Sequence, residues 1–397
     1  MPFNNKYILI TLLCIAALSR AVSYAQNPEH VIKIGMSAAF TGRSSDIGIS
    51  LYEGAISYFN RVNLNGGING RSIQLIHYDD GYNPIPALQN TLKLINEDKV
   101  LLLFSYVGTP TVTRILPLLK LYSYEHYYLF FPLTGAQPQR EPPYDKFVFN
   151  FRASYRDETA GLVDNFIRIG RKRIAVYYQA DAYGRSGWDG VNKALKKYNL
   201  NIVSEATYRR GAGFEESFKA QVDIFRKSSP DAIISIGSYQ ACAGLIRDIR
   251  DDNWGIPIAN LSFVNSDSML KLLTTVSNKS DKDYSVNIIN SEVVPNYNDI
   301  TLEIVNEYRK YNQNYNFIGL EGFINAKLVV EVLNRMGDNI ERSNLKRTVE
   351  SIRDYDIGLS HKISFLPNKH QASDSVYYNM VMNGNWVPIE SWDIWKK

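Results

Sequence analysis

Residues 33 to 42, Lys-Ile-Gly-Met-Ser-Ala-Ala-Phe-Thr-Gly, carry a short apolar run straight into a loop of small residues. Ser44 to Asn65 then reads as one long amphipathic helix, closed by the turn Asn65-Gly66-Gly67-Ile68-Asn69-Gly70. A second apolar run through Ile73, Leu75 and Ile76 stops at Asp79-Asp80-Gly81. This strand–loop–helix–turn–strand unit opens an α/β domain with a parallel sheet.

The same alternation continues along the chain. Strands are predicted over 31–37, 71–78, 100–105, 127–132, 146–151, 172–178, 201–208, 231–236, 258–264 and 286–294. Helices are predicted over 46–63, 84–97, 110–122, 157–169, 186–198, 214–228, 240–251, 299–312, 319–336 and 343–352. Val100-Leu101-Leu102-Leu103-Phe104 is the continuous apolar run of a strand buried on both faces. Leu162, Phe166 and Ile169 mark a helical stripe. Near the end the pattern changes. Val376 to Met382, Asn383-Gly384 and Trp386 to Ile389 read as a hairpin with a tight Asn-Gly turn. No low-complexity linker separates two halves, so several chain crossings between lobes are expected.

The first 25 residues read as an export signal: Lys6, an apolar run from Tyr7 to Leu18, and small residues at Ser23 and Ala25, with cleavage expected before Gln26. The run is short for a membrane anchor, which needs about 20 apolar residues. Cys14 would suit a lipoprotein, but Leu13 stands where a small residue is expected. Removing 25 of 397 residues leaves 372, which fits two domains and is expected to be soluble. Losing Lys6 and Arg20 takes the formal charge from +4 to +2, with basic residues dispersed, so neither nucleic acid nor a membrane surface is indicated. Cys242 is then the only cysteine; no internal disulfide is possible, and its apolar neighbours suit a buried, inert thiol.

Catalytic and metal patterns are missing. The histidines at 30, 77, 126, 361 and 370 have no ligand spacing. Gly184-Arg185-Ser186-Gly187 is no nucleophile elbow, and Gly211-Ala212-Gly213 is followed by Glu216 where a dinucleotide fingerprint needs glycine. Asp79-Asp80 reads as a turn after a buried strand rather than a metal pair. No enzymatic activity and no cofactor are expected.

Several segments in order resemble one family: Gly35 to Gly42, Asn65 to Gly70, Asp79-Asp80-Gly81-Tyr82, Gly108-Thr109-Pro110-Thr111, Pro132 to Ala136, Asn150 to Tyr155 and Asp181-Ala182-Tyr183-Gly184. Together they are similar to the periplasmic binding proteins of branched-chain amino acid ABC transporters, over roughly residues 30 to 390. The resemblance implies the type I periplasmic-binding fold: two doubly wound, Rossmann-like α/β lobes joined by three hinge strands. Lobe one would take residues 30–153 and 292–360, and lobe two 154–291 and 361–393. It implies a monomer in the periplasm that takes a small carboxylate, amide or amino-acid-like ligand between its lobes and delivers it to an ABC permease. A soluble sensory component presenting the same cleft is the alternative.

The site residues follow from strand ends. Tyr106 and Thr109 lie beyond the run ending at Phe104. Thr109 suits a helix N-cap and Pro110 a first helical position, and a helix N-terminus suits a carboxylate. Thr134, Gly135 and Ala136 follow the next strand, where exposed backbone can meet a ligand or simply turn. By the resemblance, Tyr183 covers the ligand from lobe two, and Tyr155 and Asp157 follow a crossing strand, with Asp157 aligned to an acid that holds the ligand amine. Asp157 fits a helix N-cap equally well. Tyr239 ends another strand, and Glu321 reaches either the cleft or solvent. Two positions depart from the family: Ala241 replaces an acid expected near the ligand ammonium, and Ile47 replaces an aromatic residue. An α-amine on the ligand is therefore not required by the sequence.

Overall fold

The computed structural model describes residues 31–397; the leader read over residues 1–25 lies outside the described residues. Among the described residues twelve strands fall into two sheets. The first sheet contains β1 (Val31–Ala38), β2 (Ser72–Asp79), β3 (Leu102–Phe104), β4 (Leu129–Phe130) and β5 (Val148–Phe149). The second contains β6 (Ile174–Gln179), β7 (Ser204–Tyr208), β8 (Ala232–Ile236), β9 (Ile258–Asn260), β10 (Ile288–Glu292), β11 (Tyr377–Met382) and β12 (Asn385–Pro388). The helices are α1 (Ser45–Leu64), α2 (Pro84–Asn96), α3 (Thr109–Leu121), α4 (Tyr155–Arg168), α5 (Ala182–Lys196), α6 (Lys219–Ser228), α7 (Tyr239–Asp251), α8 (Ser266–Ser277), α9 (Glu303–Tyr311), α10 (Phe317–Met336) and α11 (Arg342–Val349).

The first sheet is parallel throughout, in the order β2-β1-β3-β4-β5. Ile34 pairs with Leu75 on one side and Leu102 on the other. The second sheet runs β12-β11-β10-β9-β8-β6-β7, parallel from β10 to β7 and antiparallel at the terminal hairpin. All five residues of β8 are buried, with Ser235 the one polar residue in its run, as suits a strand between helical layers. The hairpin turns at Asn383 and Gly384, both with positive φ, which its Asn-Gly sequence permits.

In each sheet the strand order reverses beside the strand that opens it: between β1 and β3, and between β6 and β8. Adjacent loops leave in opposite directions there, opening a crevice at the carboxyl ends of the strands. The chain passes from the first sheet to the second after β5, comes back after β10 to form α9–α11, and crosses to the second sheet again along 371–373, where Asn150 and Phe151 carbonyls accept from Ala372 and Ser373 N–H groups at 2.9 and 3.0 Å. In the first lobe α10 lies directly against α1. A Cβ on Gly54 would fall 1.9 Å from the Gly319 carbonyl oxygen, so glycine sets that helix spacing.

Most predicted elements stand where the periodicity put them, with one helix unforeseen. The apolar residues Leu261, Phe263 and Val264 suggested that β9 continued to 264. Instead β9 stops at Asn260, Asn265 takes φ 60° and its side chain caps Ser268 N at 3.3 Å, and α8 begins. The helix predicted from 186 starts four residues earlier, because the Asp181 carboxylate accepts from the N–H groups of Tyr183 and Gly184 at 2.9 and 3.3 Å. The helix predicted from 214 begins at Lys219.

Candidate ligand-binding cleft

The head of α3 sits at the switch point of the first sheet. Gly108, not Thr109, is its N-cap residue; Thr109 is the first helical residue and Pro110 the second. The reason is conformational. Gly108 has φ +97°, and a Cβ there would lie 2.0 Å from Tyr82 Cε2. Only glycine meets both conditions cheaply. The displaced Thr109 turns its hydroxyl to Thr134, 2.7 Å away on the loop after β4, and both side chains are buried. Arg140 fixes that loop: its Nη1 donates to the carbonyls of Thr134 and Ala136 at 3.1 and 2.7 Å. The Gly135 carbonyl accepts from Tyr155 N at 2.7 Å, tying the loop to the first turn of α4. A hydroxyl pair beside a helix N-terminus, whose first N–H groups lack intrahelical acceptors, can hold a carboxylate.

An aromatic wall faces this pair. Tyr155 packs on Tyr183 at 5.1 Å between ring centroids, Tyr183 on Phe263 at 4.7 Å, and Tyr82 on Phe263 at 5.8 Å. Tyr82 belongs to the first lobe and Phe263 to the second, so the lobes are shut on one another. Arg43 Nη2 reaches Glu215 at 2.9 Å and Nη1 reaches Gln240 at 3.1 Å across the mouth, and Ser268 Oγ donates to Asp46 at 2.8 Å. The phenol oxygens of Tyr82, Tyr155 and Tyr183 are all buried without a hydrogen-bond partner among the described residues. Burial raises the Tyr155 pKa, while Arg152 and the hydroxyls of Thr134 and Thr109 beside it work the other way. At the edge of the wall a cavity of about 320 Å³ opens between Thr109 and Gln137 on one lobe and Arg185 and Ser186 on the other.

Behind the aromatic wall lies an ionic cluster at the junction of the lobes. Arg152, on the crossing segment, is 1% exposed. Its Nη2 stands 3.7 Å from Glu158 Oε1 on α4 and its Nη1 3.7 Å from Glu321 Oε1 on α10. Nη2 also donates to Ser262 Oγ. Glu158 accepts from Ser262 N at 2.9 Å, Ser262 Oγ at 3.0 Å and Ser291 Oγ at 2.6 Å. Burial raises its carboxyl, and Arg152 and these donors counter part of that rise. Glu292, also buried, is pushed well above the carboxylate range by burial, and it pairs with the Ser266 hydroxyl. Burial pushes Glu321 up to about 7 against the pull of Arg152. Among the described residues no hydrogen-bond donor meets Glu321, and Arg152 Nε and Nη1 have no acceptor.

Of the residues singled out in the sequence, Thr109, Thr134, Gly135, Ala136, Tyr155, Tyr183 and Glu321 converge here. Three do not. Tyr106 is fully buried in the core between α2 and α3, its hydroxyl 3.1 Å from Thr91 Oγ1. Its side chain leaves the strand end on the helix-covered face. Asp157 closes a capping box with Ser154, accepting from Ser154 N at 2.9 Å and Oγ at 2.7 Å, and takes a further bond from Gln371 at 3.2 Å. It is the third residue of the helix rather than the cap, and it lines a separate polar groove with Lys146, Arg156 and Asp374. Tyr239 lies at the mouth, where its hydroxyl accepts from Gln240 at 3.1 Å. Asp79 and Asp80 do form a turn: Asp79 accepts from the N–H groups of Phe40, Thr41 and Gly81 at 2.8, 3.1 and 3.0 Å. Cys242 is buried beside Ser235, and burial pushes its thiol up to about 12. Arg152, Glu158, Tyr82 and Phe263 were missed. Arg152 sits inside the segment Asn150 to Tyr155 noted above, directly after the predicted strand 146–151, and a cation between Phe151 and Ala153 was the available signal.

A family model described as periplasmic binding protein matches residues 31–385. An amino acid binding protein of Pseudomonas aeruginosa is 26% identical over 238 residues, covering 59% of this chain and 61% of that protein. The Leu/Ile/Val-binding protein of Escherichia coli is 24% identical over 241 residues, covering 60% and 62%. The chain thus spans about three fifths of the length of the curated relatives it matches. Among solved structures, that of a possible leucine/isoleucine/valine-binding protein from Rhodopirellula baltica superposes with a TM-score of 0.81 at 28% identity, covering 92% of this chain and 98% of that one.

Proposed function

The chain belongs to the periplasmic binding protein family, and from that premise we propose that it captures a small carboxylate, amide or amino-acid-like solute between its lobes and delivers it to an ABC permease. In this reading lobe one comprises residues 30–153 and 292–360, lobe two 154–291 and 361–393, and the export signal over residues 1–25 takes the chain to the periplasm. The Thr109–Thr134 hydroxyl pair at the head of α3 carries the proposal, because it places two buried hydroxyls and a helix N-terminus opposite an aromatic wall. The relatives' names favour amino acids as the solute class. No described helix is long and apolar enough to cross a membrane, in keeping with a carrier that works beside a separate permease.

The test is a thermal-shift and calorimetric screen of the chain from Gln26 against amino acids, amides and aliphatic and aromatic carboxylates. A solute at a hundredfold excess over its dissociation constant stabilises the folded state by about 2.7 kcal/mol. A hit that weakens about tenfold in a Thr109→Val, Thr134→Val double variant supports the reading, since a hydrogen bond to a charged group contributes about 1.5–3 kcal/mol. A hit indifferent to both substitutions would move the ligand elsewhere. Cells lacking the chain should lose high-affinity uptake of the same solute.

A further inference from the structure

At the centre of the ionic cluster one guanidinium, Arg152, stands between the carboxyls of Glu158 and Glu321. Glu158 has three hydroxyl or N–H donors and a guanidinium to keep it ionised. Glu321 has only the guanidinium it shares with Glu158, at 3.7 Å, and no donor among the described residues. Arg140, the other cation facing Glu321, gives its N–H groups to the carbonyls of Thr134, Ala136 and Arg152 and to the Gln371 side chain, so no cation is dedicated to Glu321. A buried charge without its own partner is strongly unfavourable, and a cation of the right size supplies one. The Nε and Nη1 atoms of Arg152 are fully buried and without acceptors among the described residues, and Nη1 is the atom 3.7 Å from this carboxylate. Tyr155, whose hydroxyl is also unpartnered, carries this environment to the Thr109–Thr134 pair.

Resting on the solute-binding reading above, we propose that Glu321, flanked by Arg152, is the subsite for a cationic nitrogen on the ligand, an ammonium or amidinium that stands next to an acceptor oxygen. The nitrogen donates to the Glu321 carboxylate, and the neighbouring oxygen accepts from the free N–H groups of Arg152. The role sought at Asp157, and left vacant by Ala241, falls to helix α10 of the first lobe. The first lobe then holds both ends of the ligand, and the second lobe covers it with Tyr183 and Phe263.

The charged groups facing Glu321 are Arg152 on the crossing segment, Glu158 on α4 and Arg140 on the loop after β4. Its carboxyl in the folded chain titrates at about 7, above the ordinary 4.5. An acid raised in this way contributes stability that is fully present below pH 4.5 and lost as pH rises through 7. Above pH 7 the ligand-free protein therefore carries the full penalty of the ionised carboxylate, and a cationic ligand relieves it.

The experiment compares the wild type, Glu321→Gln and, as a control, Asp157→Asn at pH 6 and pH 8. Probes are leucine and phenylalanine with their des-amino counterparts, 4-methylpentanoate and 3-phenylpropanoate. Expected are wild-type binding of the amino acids above the des-amino acids, tighter binding at pH 8 than at pH 6, and a loss of about tenfold or more in Glu321→Gln. Asp157→Asn should bind like the wild type. Without ligand, Glu321→Gln should melt higher than the wild type at pH 8. Retention of amino-acid affinity within twofold in Glu321→Gln, or preference for the des-amino acids, overturns the proposal. If no probe binds the folded wild type, the solute reading fails for these compounds, and the ligand-free melting temperatures at pH 8 decide. A rise in Glu321→Gln then supports an uncompensated carboxylate at α10, and no rise overturns it.

Discussion

Two buried polar clusters lie near one another in this molecule, and they are finished to different degrees. At the carboxyl ends of β6 and β8, Tyr208 donates to Gln179 Oε1 at 3.0 Å and accepts from Ser238 N at 2.7 Å. Gln179 donates to Asp181 at 2.6 Å, Asp181 caps α5, and Ser235 bonds Cys242 at 3.1 Å. That network is closed on itself and serves the fold. At the lobe junction, by contrast, Arg152, Tyr155 and Tyr183 keep polar atoms without partners among the described residues, and Glu321 meets the Arg152 guanidinium only at 3.7 Å. A protein interior seldom leaves such groups unpaired, since each costs about 1–3 kcal/mol. The difference separates a structural network from a surface shaped for something outside the chain.

The largest test of this contrast is removal of Arg152. Its guanidinium sits between Glu158 and Glu321, so Arg152→Ala strands Glu158 with no counter-charge. Breaking a buried pair in this way costs about 3–5 kcal/mol, read as a shift in the urea midpoint at unchanged slope. A cost below about 1 kcal/mol, the range of exposed ion pairs, would mean that the cluster is wetted, and the contrast would collapse.

The fold was largely legible because it depends on periodicity. Apolar runs such as Leu102 to Phe104 and Ala232 to Ile236, the latter broken only by Ser235, read as strands buried on both faces. The strand ends that carry Thr109, Thr134 and Tyr183 followed from those runs. What stayed hidden depends on side-chain direction and distant pairing. Tyr106 and Thr109 are three residues apart, yet one points into the α2–α3 core and the other into the cleft. Asp157 carries the chemistry of an amine ligand, but a serine three residues before it draws it into a capping box. Arg152 and Glu321 are separated by 169 positions and meet only through the crossing between lobes. Phe263 looked like the end of a strand until Asn265 turned the chain and started α8.

A second test lies on the finished side. Tyr208→Phe removes one hydroxyl that both donates and accepts, leaving Gln179 Oε1 and Ser238 N short of a partner in a buried place. It should cost about 1–3 kcal/mol of stability, with ligand response in a thermal-shift titration otherwise preserved. Asp157→Ala comes next. It removes the capping-box acceptor of α4 and should cost about 1 kcal/mol, again without altering ligand affinity. A selective loss of amine-bearing ligands in that variant would restore Asp157 to the site and displace Glu321 from it.

The smallest expected effect on stability is the most telling. Tyr155→Phe deletes a hydroxyl that is buried and has no hydrogen-bond partner, while the ring keeps its packing on Tyr183 at 5.1 Å. The hydroxyls beside it, those of Thr109 and Thr134, already bond one another at 2.7 Å, so the urea midpoint should stay within about 0.5 kcal/mol of the wild type or move slightly upward. The same deletion at Tyr208 costs more because that hydroxyl is used. If the cleft phenols are held for a ligand, affinity should fall several-fold in Tyr155→Phe and remain unchanged in Tyr208→Phe, so the two phenylalanine variants exchange order between the stability and binding measurements. Should both variants behave alike in both measurements, the unpartnered hydroxyl at Tyr155 would have no role in recognition, and the division between finished and unfinished clusters would mark nothing but local geometry.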